Sequence, residues 1–144
     1  MGRDHDQQGI ADSVDQLARL LQRERERGIP AGRIVLAGFS QGGAIALQLA
    51  LRFPEKLAGL IALSTYLLLD DRLAVEAHAA NLGLPVFVGH GTHDPMVPCR
   101  LGEQLAGRLR ELGCAVEWRS YAMPHSVCPE EVIDLAAWLR ARLA

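Results

Sequence analysis

Three residues of the right types for nucleophilic acyl transfer occur in the order serine, aspartate, histidine: Ser40, Asp94 and His125. A serine hydroxyl is a weak nucleophile at neutral pH. It attacks a carbonyl only when a histidine takes its proton and a carboxylate orients that histidine. Ser40 sits in Gly38-Phe39-Ser40-Gln41-Gly42, between an apolar run and an Ala- and Leu-rich segment. A Gly-x-Ser-x-Gly match between a strand and a helix is the context of a nucleophile elbow. The glycines allow the sharp turn, Ser40 is expected in a strained backbone conformation, and the Gln41 N–H with its helix dipole faces a developing oxyanion. Asp94 follows in His90-Gly91-Thr92-His93-Asp94-Pro95, just past the apolar run 85–89, and His125 in Met123-Pro124-His125-Ser126, past the run 115–121.

Each of these residues also has a plainer reading. Ser40 can serve as a helix N-cap, a position serine favours on structural grounds. His90, His93, Asp94 and His125 can be set out as metal ligands, although Asp94 follows directly on His93 and no second shell is visible. Cys128 is near His125 but on a different loop from the elbow, and a packed thiol is its ordinary role. His5 and His78 read as surface residues. Asp70 and Asp71 are the substitutes should Asp94 not be the acid.

The elements that must carry these loops alternate between strand and helix. Ile10, Val14, Leu17 and Leu21 recur at helical spacing, and the helix runs through the sign-alternating stretch Arg23 to Arg27 until Gly28 and Pro30 stop it. Strands are expected at 33–38, 57–63, 85–89 and 115–121. Helices are expected at 41–53, at 72–80, along Leu101, Leu105, Leu109 and Leu112, and from Pro129 to the C-terminus. In that last helix Glu130 and Glu131 suit the first turn, Arg140 and Arg142 the last, and Val132, Leu135, Ala136, Leu139 and Leu143 make the buried face. The run 116–121 alternates as an edge strand does. Ile34 to Ala37 is apolar throughout, as in a strand covered on both faces. Short connections between alternating elements give an α/β fold with about four parallel strands, all three chemical loops opening on one edge of the sheet.

Composition narrows the alternatives. With 144 residues, about half of them apolar, the chain can bury one core and is expected to be a single domain over 1–144. Its 15 basic and 17 acidic side chains form no basic stripe, so nucleic acid is not an expected partner. The N-terminus is too polar for a signal segment and no apolar run reaches membrane-spanning length, which points to a cytoplasmic protein. Three widely spaced cysteines suggest neither a disulfide framework nor a zinc site.

The segments Ala37-Gly38-Phe39-Ser40-Gln41-Gly42-Gly43-Ala44, His90-Gly91-Thr92-His93-Asp94-Pro95 and His125-Ser126-Val127-Cys128-Pro129-Glu130-Glu131 resemble bacterial carboxylesterases of the phospholipase/carboxylesterase family, relatives of acyl-protein thioesterases, within the α/β-hydrolases. The likeness runs from Ile10 onward. It implies a nucleophile at Ser40, an orienting acid at Asp94, a general base at His125, an oxyanion donor in the Gln41 N–H, and an acyl pocket lined by Phe39, Leu67, Leu68, Met96 and Val97, with no cofactor and no metal. Two departures stand out: Pro124 replaces the usual glycine before the histidine, and the family's N-terminal strands, with their His-Gly-rich loop and second oxyanion donor, have no counterpart here. The expected function is hydrolysis of small or medium acyl esters through an acyl-enzyme. The alternative is a catalytically impaired remnant acting as an oligomeric binding module. Losing one oxyanion donor costs about 10²–10³ in turnover, which leaves slow catalysis and favours the enzyme. An apolar strand at 33–38 without those upstream partners is expected to pair with a second copy, giving a homodimer or higher homo-oligomer.

Overall fold

The computed structural model describes residues 3–68 and 70–144, with the side chains of 3–7, 70, 71 and 74 outside the description. In chain order it contains α1 (Arg3–Glu26), β1 (Val35–Phe39), α2 (Gln41–Arg52), β2 (Gly59–Leu63), α3 (Asp70–Glu76), β3 (Pro85–Gly91), α4 (Cys99–Glu111), β4 (Ala115–Tyr121) and α5 (Pro129–Leu143). Single 3₁₀ turns at Ala31–Arg33 and Ala79–Asn81 lead into β1 and towards β3. The strands lie in the order β1-β2-β3-β4 and every pairing is parallel. This is the expected α/β architecture, with the strands starting up to two residues later or ending up to two residues beyond the sequence-based bounds. The expected helix at 72–80 is instead α3 followed by a separate turn, with His78 accepting a hydrogen bond from the Ala80 N–H at its start.

Residue alternation along the strands divides the core into two layers. Leu60 and Ala62 of β2, with Val86 and Val88 of β3, face α1, α2 and α4, and join Leu21, Leu47, Leu105 and Leu109 in the larger cluster. Ile61, Leu63 and Phe87 point the other way, onto Trp138 of α5. Both faces of β2 are therefore buried, as its continuous apolar run requires. β1 differs from its expected reading: Leu36 is buried, but Ala37 and Phe39, on the α5 side, are exposed. On that side only Val35 is partly covered, against the Trp138 cluster, and β1 is an edge of the described sheet.

α5 also docks differently from the hydrophobic pattern. Val132 is 55% exposed, whereas Glu131 is fully buried and Trp138 nearly so, with Leu135 and Leu139 partly buried beside it. Two strand glycines account for the rotation. A Cβ on Gly59 would lie 2.6 Å from the Trp138 ring, and one on Gly89 would lie 2.2 Å from Glu131 Oε2. Glycines within β2 and β3 thus open two gaps, and Glu131 and Trp138, seven residues apart on one face, occupy them. Among the described residues no helix is long and apolar enough to cross a membrane.

Candidate active site

Ser40 stands between β1 and α2 with φ 57° and ψ −123°, a conformation that non-glycine residues rarely adopt and that costs of order 1–3 kcal/mol. The surroundings over-determine it. The Ser40 N–H donates to the Leu63 carbonyl at 2.8 Å, while the Ser40 carbonyl accepts from the Gly43 N–H at 3.0 Å and from Thr65 Oγ1 at 2.6 Å. A Cβ at Gly38 would fall 2.2 Å from the Gly42 carbonyl oxygen, and one at Gly43 2.8 Å from the Thr65 side chain. Both glycines are required by packing at the turn.

The Ser40 hydroxyl makes no capping bond to α2, which removes the plain N-cap reading. Instead Oγ lies 3.0 Å from His125 Nε2, and His125 Nδ1 lies 2.6 Å from Asp94 Oδ2. A carboxylate only accepts, so Nδ1 carries the proton and Nε2 is left with the lone pair that receives the serine O–H. Three residues separated by up to 85 positions meet because β1, β3 and β4 are parallel and their following loops open on one edge of the sheet.

Asp94 is held from three further directions. Its Oδ1 accepts the Met96 and Val97 N–H groups, both at 2.8 Å, and His90 Nε2 lies 3.6 Å from Oδ2. Burial pushes the carboxyl up, but the Val97 N–H, the His125 bond and the Met96 N–H together outweigh it and keep Asp94 below its ordinary value of 3.8. His90, fully buried, donates Nε2–H to the Val97 carbonyl at 2.7 Å. His90 and His125 are thus engaged in hydrogen bonds of their own, and among the described residues no metal-binding group of three or more His, Cys, Asp or Glu forms.

The Asp94 and His125 loops are also joined through their backbones. Thr92 N–H donates to the Tyr121 carbonyl and His93 N–H to the Met123 carbonyl. A Cβ on Gly91 would lie 2.3 Å from the Met123 oxygen and 2.4 Å from that of Pro124. Gly91 and Thr65 were not singled out as site residues by sequence reasoning, and His90 was weighed there only as a metal ligand. Gly91 carried a signal, a glycine at a strand end within a motif; Thr65 carried none. Pro124 does not keep His125 from its partners.

The expected pocket residues fare unequally. The Phe39 ring lies against the His125 imidazole, with centroids 4.7 Å apart. Met96 is 73% exposed and Val97 is buried, and both reach Asp94 through their N–H groups. Leu67 packs partly on the larger core cluster and lines a cleft of about 270 Å³ with Tyr66, Leu101, Gln104 and Arg108. The Leu68 carbonyl accepts from Gln48 Nε2. Gln41 begins α2, ahead of the Gly43 and Ala44 N–H groups that bond the Ser40 carbonyl, at the helix end where N–H groups are left without intrahelical partners. Cys99, Cys114 and Cys128 are all free, and burial raises the Cys114 thiol to about 11. The side chains of His5, Asp70 and Asp71 lie outside the described residues.

Beneath the site, both Glu131 carboxyl oxygens are buried without a hydrogen-bond partner. Burial, then the nearby Asp134 charge, raises this acid from 4.5 to about 7. Asp134 accepts the Tyr121 hydroxyl at 2.6 Å, tying α5 to the end of β4. Burial and that bond to Asp134 push the phenol well above its usual range.

A sequence profile of the Phospholipase/Carboxylesterase family matches residues 1–143. The chain is 43% identical over 144 residues to acyl-protein thioesterase 1 of Gibberella zeae, covering 98% of this chain and 61% of that protein. To acyl-protein thioesterase 1 of Saccharomyces cerevisiae it is 33% identical, covering 96% and 63%. Among solved structures, Arabidopsis thaliana SOBER1 superposes with a TM-score of 0.87 at 26% identity, over 94% of this chain and 65% of that one. Zea mays acyl-protein thioesterase 2 does so with 0.81 at 27%, over 95% and 66%. These sequence relatives are fungal, whereas the motifs had suggested bacterial carboxylesterases. The chain spans about three-fifths of the length of the curated relatives it matches.

Proposed function

Since the chain belongs to the phospholipase/carboxylesterase family, we propose that it is a serine hydrolase cleaving small or medium acyl esters or thioesters, with Ser40 as nucleophile, His125 as general base and Asp94 as the orienting acid. One observation carries this reading: the unbroken contact from Ser40 Oγ through the His125 ring to Asp94, with the hydroxyl free of any capping bond. In the first half-reaction Oγ bonds to the acyl carbon, its proton passes to Nε2, and the carbonyl electrons move onto oxygen. The Gln41 N–H and the α2 dipole face that oxyanion. Collapse re-forms the carbonyl and expels the alcohol or thiol, which leaves with the proton from Nε2; water then repeats the steps on the acyl-enzyme. Acyl-protein thioesterases among the relatives favour a thioester among the natural substrates.

The experiment is hydrolysis of p-nitrophenyl acetate and butyrate together with labelling by a fluorophosphonate. Turnover and labelling are both expected in the parent and absent in Ser40→Ala. Labelling that survives Ser40→Ala would move the nucleophile elsewhere. A homodimer through the β1 edge belongs to the same reading and is supported by the exposure of Ala37 and Phe39 beside the open edge of β1. Val35→Lys is expected to convert the dimer to a monomer in light scattering, and a monomeric parent at micromolar concentration would end that part.

A further inference from the structure

Hydrogen bonds hold His125 in only two of three directions. Its bonds to Asp94 and Ser40 leave from ring nitrogens whose N–H and lone pair point outward in the imidazole plane. They fix where the ring lies along the Ser40–Asp94 line but oppose tilting only weakly. The aromatic neighbour in contact with the imidazole is Phe39, whose ring is inclined at 45° to it at a centroid distance of 4.7 Å. Phe39 is the last residue of β1, next to the elbow, and is itself 38% exposed. Phe39 belongs to neither core cluster, so its contact with the imidazole is not a by-product of core packing.

We propose that Phe39 is a positioning residue, which supports the His125 imidazole against tilting and stabilises the imidazolium formed when Ser40 gives up its proton. The inference deepens the hydrolase reading and rests on His125 being the base. The physical ground is the aromatic quadrupole, which attracts a cation within about 6 Å of the ring centroid. At a partly exposed site the attraction amounts to about a two- to five-fold change in the protonation constant, roughly 0.3–0.7 pH unit. Among the described residues, Asp94 is the charged group in hydrogen-bond contact with the imidazole. Asp94 is held ionised below the range where histidine titrates, so changing Phe39 isolates the contribution of its ring.

The test uses Phe39→Leu and Phe39→Trp, each made in the parent and in Ser40→Ala. In the Ser40→Ala background the His125 ring protons are followed by NMR against pH, assigned by their absence in His125→Asn. Leucine is expected to lower the titration midpoint by about half a pH unit and tryptophan to restore it. In the parent background the acid limb of kcat/KM should move by the same amount, with kcat falling equally for acetate and butyrate esters. An unmoved midpoint in Phe39→Leu, with a loss confined to KM for the longer ester, would overturn the proposal and make Phe39 a pocket wall. A moved midpoint in a protein that hydrolyses no ester would uphold the ring contact and defeat the hydrolase reading instead.

Discussion

Replacing Glu131 by glutamine should make the protein more stable in mild alkali. The carboxyl is fully buried with neither oxygen hydrogen-bonded, and its protonation midpoint rises from 4.5 in the open chain to about 7 in the fold. Below pH 4.5 the acid is neutral in both states and nothing is lost. Between 4.5 and 7 the unfolded chain ionises while the native protein holds its proton, so stability falls by about 1.4 kcal/mol per pH unit. Above 7 both states are ionised and the loss levels off at about 3 kcal/mol. That is a substantial part of the 5–15 kcal/mol typical of a domain. Glutamine has nearly the same shape and no charge, so Glu131→Gln should escape the loss. The assay is urea unfolding of parent and variant at pH 5, 6, 7 and 8, read as the difference between the two at each pH, which cancels titrating groups not coupled to Glu131. The variant should gain on the parent by roughly 3 kcal/mol from pH 5 to pH 8. Parallel curves would refute the argument and mean that Glu131 ionises in water or finds a partner.

Asp94→Asn should slow ester hydrolysis on the order of 10⁴-fold in kcat, by favouring the wrong imidazole tautomer, and steady-state kinetics at pH 7.5 would show it. Because Asp94 is held below 3.8, the stability it contributes is present above that pH and lost as pH falls through the lowered value; acid unfolding of Asp94→Asn should lack this component. Gly91→Ala should lower both kcat and the unfolding midpoint, since its Cβ would meet the backbone oxygens of Met123 and Pro124, and unchanged values would contradict the loop contact. Thr65→Val removes the donor to the Ser40 carbonyl and should cost about 1 kcal/mol in urea unfolding, with a further drop in kcat as the elbow relaxes.

What was legible in the sequence was what local pattern controls. Apolar runs marked β1, β2 and β3 and alternation marked β4, while the Gly-x-Ser-x-Gly pattern marked Ser40, although of its two glycines only Gly38 is required by packing, together with Gly43. What escaped depends on partners distant in the chain. Hydrophobicity assigned Val132 to the buried face of α5, but the helix follows the gaps at Gly59 and Gly89, so a glutamate is buried and a valine left in solvent. The apolar run of β1 suggested cover on both sides, yet only Leu36 is fully enclosed. Met96 and Val97 were expected to offer side chains to an acyl group; their nearest service is through backbone N–H groups, which no side-chain pattern can reveal.

The two glycine gaps act on α5 as the sockets of a two-pin plug. A helix seated by a single knob can still swivel about it, and one seated by a smooth apolar stripe can slide by a turn. Two knobs seven residues apart, entering sockets on neighbouring strands, permit neither. α5 begins at Pro129, four residues after His125, so its seat sets the far end of the loop that carries the base. A side chain added at Gly59, on the strand edge opposite the elbow, would unseat the Trp138 pin and pass the displacement along the helix to the imidazole. Substitutions that slow the chemistry can therefore lie at the other end of the sheet from it.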